Sequence, residues 1–147
     1  MNVAEIMTEK PITATRETTL SDAMFKMRQI GCHHLPVLGH ENHLVGIISE
    51  RDCMHALSSE AAKRDPYIAE TIFVREVMTG APIIIEPAAP AEEAARLMLE
   101  NYIGALPVVL GETLVGIVTK SDILMAFMQM CKRNHFRLNH PEIADQE

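Results

Sequence analysis

One unit is written twice along this chain, and that duplication limits its possible folds more than any other feature. Val3-Ala4-Glu5-Ile6-Met7-Thr8 returns as Val74-Arg75-Glu76-Val77-Met78-Thr79, and Pro11-Ile12 returns as Pro82-Ile83. Further on, Leu35-Pro36-Val37 is matched by Leu106-Pro107-Val108, and Leu44-Val45-Gly46-Ile47 by Leu114-Val115-Gly116-Ile117. Ser49-x-x-Asp52 closes the first copy as Thr119-x-x-Asp122 closes the second, with one single-residue slip in the turn around Asn42. A lone unit of roughly 60 residues would bury only about 60% of its unfolded surface and would be marginally stable. Two units covering each other remove that difficulty.

Each copy reads as the same α+β unit, βαββα in order. A short extended stretch follows the Met-Thr pair and carries a proline, which suits an edge or the start of a strand. A helix follows: Leu20, Ala23, Met24, Met27 and Ile30 share one face in copy one, and Ala91, Ala94, Ala95, Met98 and Tyr102 share it in copy two. Its start is marked by Thr19 with Asp22, and by Pro90 with Glu93. Two β-rich runs come next, Leu35–Leu38 with Leu44–Ile48 and Leu106–Leu110 with Leu114–Val118. Gly111-Glu112 is a tight hairpin signal and Gly39–His43 a longer one. A second helix opens near Asp52 and Asp122, and Pro66 disfavours continuing the first of these. The expected division is residues 1–66, residues 67–135 and a polar tail, 136–147, that frays from about Asn139. The two units are expected to pack sheet to sheet about a pseudo-two-fold axis.

Ile123-Leu124-Met125-Ala126-Phe127-Met128-Gln129-Met130 is apolar on nearly every side. A helix of that kind must be covered on more than one face. A homodimer surface is the expected reason; burial within the module is the alternative. The ten methionines fall mostly at helical core spacing, which points to packing.

The formal charge of −7 lacks the basic footprint that nucleic-acid binding requires. Cys32, Cys53 and Cys131 are odd in number and far apart, which gives no disulfide framework and fits a reducing cytoplasm. No apolar run approaches the roughly 20 residues of a membrane helix. Cys32, His33, His34, His40 and His43 match no strong metal spacing. Walker and Rossmann phosphate loops, a nucleophile elbow and triad logic are all missing, so no catalytic residue and no catalytic cofactor are expected.

The doubled signature resembles the cystathionine-β-synthase domain pair, or Bateman module. Its carriers are Val-x-x-Ile/Val-Met-Thr, Leu-Pro-Val, and Leu-Val-Gly-Ile-x-Ser/Thr-x-x-Asp, over residues 1–132. The resemblance implies a free-standing member that binds an adenosyl ligand in clefts between repeats: AMP, ADP, ATP, S-adenosylmethionine or a related compound. It also implies regulation of a partner protein or of the module's own assembly. An interaction module with idle clefts, docking through its apolar last helix, is the alternative.

Ser/Thr-x-x-Asp supports two uses. It is a near relative of the capping box, in which both side chains satisfy backbone donors. Alternatively, the carboxylate can accept hydrogen bonds from a ribose diol, beside a helix N-terminus that favours phosphate. By resemblance, the cleft holding Asp122 takes Ile117, Thr119 and Ser121, with Thr8, Pro11, Ile12 and the turn Cys32-His33-His34 from copy one. The cleft holding Asp52 takes Ile47, Ser49 and Arg51, with Thr79, Pro82, Ile83, Ile103 and Gly104 from copy two. Ile12 and Ile83 suit an adenine ring. His33 and His34 stand where the family often places bases against phosphate; Gly104 departs from that pattern and leaves the role at the Asp52 cleft to Arg51.

Overall fold

A computed structural model describes residues 1–144; the last three residues of the expected tail, 145–147, lie outside the described part. The chain begins α1 (Val3–Ile6), β1 (Thr8–Glu9), β2 (Ala14–Thr15), α2 (Leu20–Ile30), β3 (His34–Leu38) and a 3-10 turn (His40–Asn42). It continues β4 (Leu44–Ser49), α3 (Glu50–Ala56), α4 (Glu60–Arg64) and a second 3-10 turn (Ile68–Glu70). The second half runs α5 (Val74–Val77), β5 (Thr79–Gly80), α6 (Ala91–Asn101), β6 (Ala105–Leu110), β7 (Thr113–Thr119), α7 (Lys120–Asn139) and α8 (Pro141–Ala144). This is the α+β tandem pair read from the sequence, with pseudo-two-fold symmetry.

Local chemistry accounts for the elements. The Thr19 side chain accepts from the Asp22 N–H at 3.1 Å and starts α2, which stops at Gly31 in the left-handed region. Pro90 starts α6 with its fixed φ. The apolar spacing on these helices overruns the true interface by one turn: Leu20, Ala23, Met27, Ala94 and Met98 are buried, whereas Ile30 and Tyr102 are exposed.

The hairpins β3–β4 and β6–β7 form as expected, but the openings of the two copies are exchanged. β1 pairs antiparallel with β7, Thr8 opposite Ile117, and β5 pairs with β4, Thr79 opposite Ile47. The sheets therefore run β2-β3-β4-β5 and β1-β7-β6, each with an edge strand from the other copy. The cores follow suit. Val74 completes a cluster of Leu20, Met27, Leu35, Val37 and Ile48; Val3 completes one of Met98, Leu106, Val108 and Val118. Interlocking of this kind is how two marginal units become one stable body.

The glycine of each Leu-Val-Gly-Ile run is explained by the exchange. A Cβ on Gly46 would lie 2.8 Å from the Thr79 carbonyl oxygen and 2.6 Å from the Met78 sulfur. On Gly116 it would lie 2.8 Å from the Thr8 carbonyl oxygen and 2.6 Å from the Met7 sulfur. Only a residue without a side chain lets the borrowed strand sit so close.

α7, the longest helix, is little covered. Ala126 is buried and Ile123 packs at the edge of the second core, while Leu124, Met125, Phe127, Met128 and Met130 are exposed. Burial of this helix within the chain is thereby ruled out as the reason for its apolar surface. No helix among the described residues is long and apolar enough to cross a membrane.

Candidate functional site

The strand exchange brings the two closing motifs to matched positions at the seam, each beside a strand of the other copy. In one, β7 delivers Thr119 and then Asp122 on the first turn of α7, with Thr8 alongside Ile117. In the other, β4 delivers Ser49 and then Asp52 on α3, with Thr79 alongside Ile47. Beyond each borrowed strand the chain turns through a non-glycine residue at positive φ, Lys10 at 47° and Ala81 at 45°. Strain of this sort, repeated at matched positions, is retained where a particular presentation of the chain is required. What it presents is Pro11-Ile12 and Pro82-Ile83, whose isoleucines remain 41% and 38% exposed.

Both aspartates cap their helices, and each does so with one oxygen. Asp52 Oδ2 accepts from the Ser49 N–H at 2.9 Å, while the Asp52 N–H donates to Ser49 Oγ at 3.0 Å. Asp122 Oδ2 accepts from the Thr119 N–H at 2.8 Å and from the Thr119 hydroxyl at 3.1 Å. The Asp122 N–H donates to Thr119 Oγ1 at a long 3.4 Å. Oδ1 of each carboxylate makes no hydrogen bond among the described residues. Capping and ribose binding are therefore compatible: a carboxylate offers about four acceptor positions, and the cap uses those of one oxygen.

Histidines and cations complete the seam. The exposed His33 has its Nδ1 2.7 Å from Glu50 Oε2, within its own copy. His34 sits opposite Ser49 across β3–β4. Its ring also reaches the second copy, since a Cβ built on Gly104 would be 3.4 Å from its Cε1 and Nε2. Burial, then the charge of His33, lowers the His34 pKa from its ordinary 6.5; Asp52 pulls it up and Lys120 pushes it down. Arg51, Ser121 and Lys120 are exposed at the helix starts, and neither cation has an ion-pair partner among the described residues. Cys32 and Ile103, matched positions, each pack against the core of their own copy.

Cys53 follows Asp52, but burial and then the Asp52 charge push its thiol up to about 11, which leaves it inert as a nucleophile. Among the described residues, no group of three His, Cys, Asp or Glu side chains could hold a metal ion. Sequence reading overlooked Lys120 and the two strand-contact glycines. Aligning the copies would have exposed the first, because Lys120 stands where the other copy has Glu50.

Comparison with known proteins places this geometry. The CBS domain model matches residues 3–59 and again 74–129. A CBS domain-containing protein of Dictyostelium discoideum is 32% identical over 133 residues, spanning 83% of this chain and 88% of its own. The CBS domain pair of protein MJ0100, solved with 5′-methylthioadenosine and S-adenosyl-L-methionine, superposes with TM-score 0.78 at 28% identity. That match covers 88% of this chain and 98% of the other. CBSX2, from Arabidopsis thaliana, solved with AMP, superposes with TM-score 0.73 at 29% identity, covering 88% and 97%. With two matched copies, exchanged strands and a shared closing motif, the chain belongs to the CBS domain family.

Proposed function

We propose that this chain is a regulatory module that binds an adenosyl compound at the seam and transmits occupancy to a partner protein or to its own assembly. The observation that carries the reading is the uncommitted Oδ1 on both Asp52 and Asp122, at matched positions next to the other copy's borrowed strand. Each free oxygen accepts from a ribose diol. Ile12 and Ile83 give the adenine ring an apolar wall, and Thr8, Pro11, Thr79 and Pro82 frame the strand beside it. Ser49 and Thr119 hold the carboxylates in place from the strand side, and Ile47 and Ile117 stand opposite Thr79 and Thr8 on the borrowed strands. Related pairs solved with AMP, and with methylthioadenosine and S-adenosylmethionine, support the class of ligand. The ligand acts as a regulator and is no catalytic cofactor. It shifts the module only by binding two arrangements of the repeats unequally.

The exposed side chains of α7, Phe127 at 62% and Leu124 at 63% among them, favour self-association through this helix. They also favour a second reading: an interaction module that docks through α7 while its clefts stay empty.

A thermal-shift panel of AMP, ADP, ATP, S-adenosylmethionine and methylthioadenosine separates the two. Ligand at 100 times its dissociation constant stabilises by about 2.7 kcal/mol. At roughly 2–4 °C per kcal/mol, the midpoint should rise by about 5–10 °C. Asp52→Asn and Asp122→Asn keep an acceptor for the cap but lose the charge facing the ribose. Each should retain its baseline midpoint, and the double variant should lose the ligand shift. A flat panel, with mass in solution that doubles only when α7 is intact, establishes the interaction module instead.

A further inference from the structure

One imidazole crosses the boundary between the copies. His34 stands at the start of β3, opposite Ser49 at the end of β4. Its half-buried ring lies over Gly104 of copy two, where a Cβ would be 3.4 Å from Cε1 and Nε2. Gly104 is not among the residues at positive φ, so its bare backbone serves the ring and not a turn. The other end of β4, about 20 Å away at roughly 3.3 Å per residue, is joined differently. There the backbones of His43 and Thr113 form an antiparallel bridge, and His43 Nε2 lies 3.4 Å from Glu112 Oε2. His43 and Thr113 each immediately precede a Leu-Val-Gly-Ile run, so the bridge joins equivalent residues and marks the pseudo-two-fold axis. The seam thus carries a histidine at each end, both from copy one; their counterparts in copy two are Ala105 and Thr113.

We propose that His34 is a proton-operated latch between the copies: neutral, its ring seats on Gly104 and closes one end of the seam; charged, it withdraws and frees that end while the His43 end stays joined. Histidine is the side chain suited to this, because its charge changes between about pH 5 and 8. The groups around the ring set the direction of movement. Burial is the largest influence, since a seat shut off from water disfavours the charged form. His33, beside it on the chain, repels an imidazolium when itself charged. Asp52, on α3 of the ring's own copy, attracts it, whereas Lys120, on α7 of the other copy, repels it. A charged ring is therefore drawn back toward copy one. At the hairpin end the sign is reversed. An imidazolium at His43 gains Glu112 as a counter-ion, and the neighbouring His40 and Glu41 stand 3.9 Å from each other. Acid releases one end and keeps the other. Asp52 and Asp122 both open their helices at the releasing end, so the latch acts where the two closing motifs lie, whatever they bind.

Proton NMR of the full chain, titrated from about pH 7.5 to about pH 5, tests the latch. At the upper pH the His34 Hε1 should show a nuclear Overhauser contact to the Gly104 α-protons. That contact should vanish as the His34 imidazole resonance titrates. The contact of the His43 ring with Glu112 or Thr113 should persist, and the amides of the β3–β4 and β6–β7 ladders should stay in place, which certifies that the chain is folded. Gly104→Val puts side-chain atoms where the ring sits. It should abolish the contact at the upper pH and return the His34 pKa toward its ordinary 6.5. In His34→Gln the Gly104 resonances should cease to follow pH. A Gly104 contact that survives protonation of His34 would overturn the proposal, as would a ring that stays neutral until the ladders melt. Loss of the His43 contact together with the Gly104 contact, or an unchanged His34 pKa in Gly104→Val, would do the same.

Discussion

The two copies agree wherever the backbone is at stake and differ wherever a side chain meets solvent. Gly46 and Gly116 contact the same atoms of the borrowed strand, and Lys10 and Ala81 share a strained φ. Asp52 and Asp122 cap alike. By contrast, His33 with Glu50 is replaced by Gly104 with Lys120, and Gly31 by Tyr102. After its capping turn, copy one folds back through the short α4, whereas copy two extends α7 to Asn139 with little cover. The shared residues are those that close approach or hydrogen-bond geometry demands. The divergent ones are where two halves of one scaffold can acquire different chemistry.

That comparison breaks most readily at the strand-contact glycines. Gly46→Ala and Gly116→Ala each force a methyl against a carbonyl oxygen that cannot swing away. Overpacking of that kind costs about 1–3 kcal/mol, and the two losses should be equal within error in urea melts. Unequal losses would mean that one exchanged strand is dispensable.

A smaller effect of opposite sign is expected at the helix ends. Gly31 at φ 74° and Tyr102 at φ 54° both end their helices in the left-handed region, where a β-carbon is penalised. Tyr102 is 93% exposed, so its ring returns nothing for the strain. Tyr102→Gly should stabilise by about 0.5–1 kcal/mol and Gly31→Ala should destabilise by about 1 kcal/mol. Thermal midpoints moving the same way in both variants would contradict the cap assignment.

The smallest effect is a pH slope confined to copy one, because Ala105 occupies the place of His34 in copy two. Burial, then the charge of His33, holds His34 below its ordinary 6.5, with Lys120 adding to and Asp52 opposing the shift. Between the two values the unfolded chain binds a proton that the folded chain refuses. Stability from this site is therefore complete above about pH 6.5 and is lost as pH falls through the lowered folded value. His34→Gln should remove that increment from the pH dependence of unfolding. An unchanged curve would show that His34 is already well solvated.

Sequence periodicity and caps were enough for the hairpins, the helix starts and the doubled aspartates, since each depends on residues within a few positions of one another. The resemblance sets Thr8 beside the Asp122 motif and Thr79 beside the Asp52 motif, but local pattern does not show the exchange, because Thr8–Glu9 and Thr79–Gly80 are two-residue strands whose partners lie far along the chain. Nothing local distinguishes pairing with one's own sheet from pairing with a neighbour's. Methionine spacing misled in part: Met27 and Met98 are buried, yet Met54, Met125, Met128 and Met130 face outward. On Ser-x-x-Asp, spacing allows cap and ribose contact to coexist, and atomic geometry shows how: the cap takes a single carboxylate oxygen.

The interlocked openings also impose an order of events on folding. Val3 cannot find its place until Val118 exists, so the opening segment of copy one is among the last to be seated. Closing so long a loop is entropically dearer than closing any hairpin within a copy, though the cost grows only logarithmically with length. Copy one can finish its own core once Val74 is present, and its opening segment then waits unsatisfied until β7 is there to receive it.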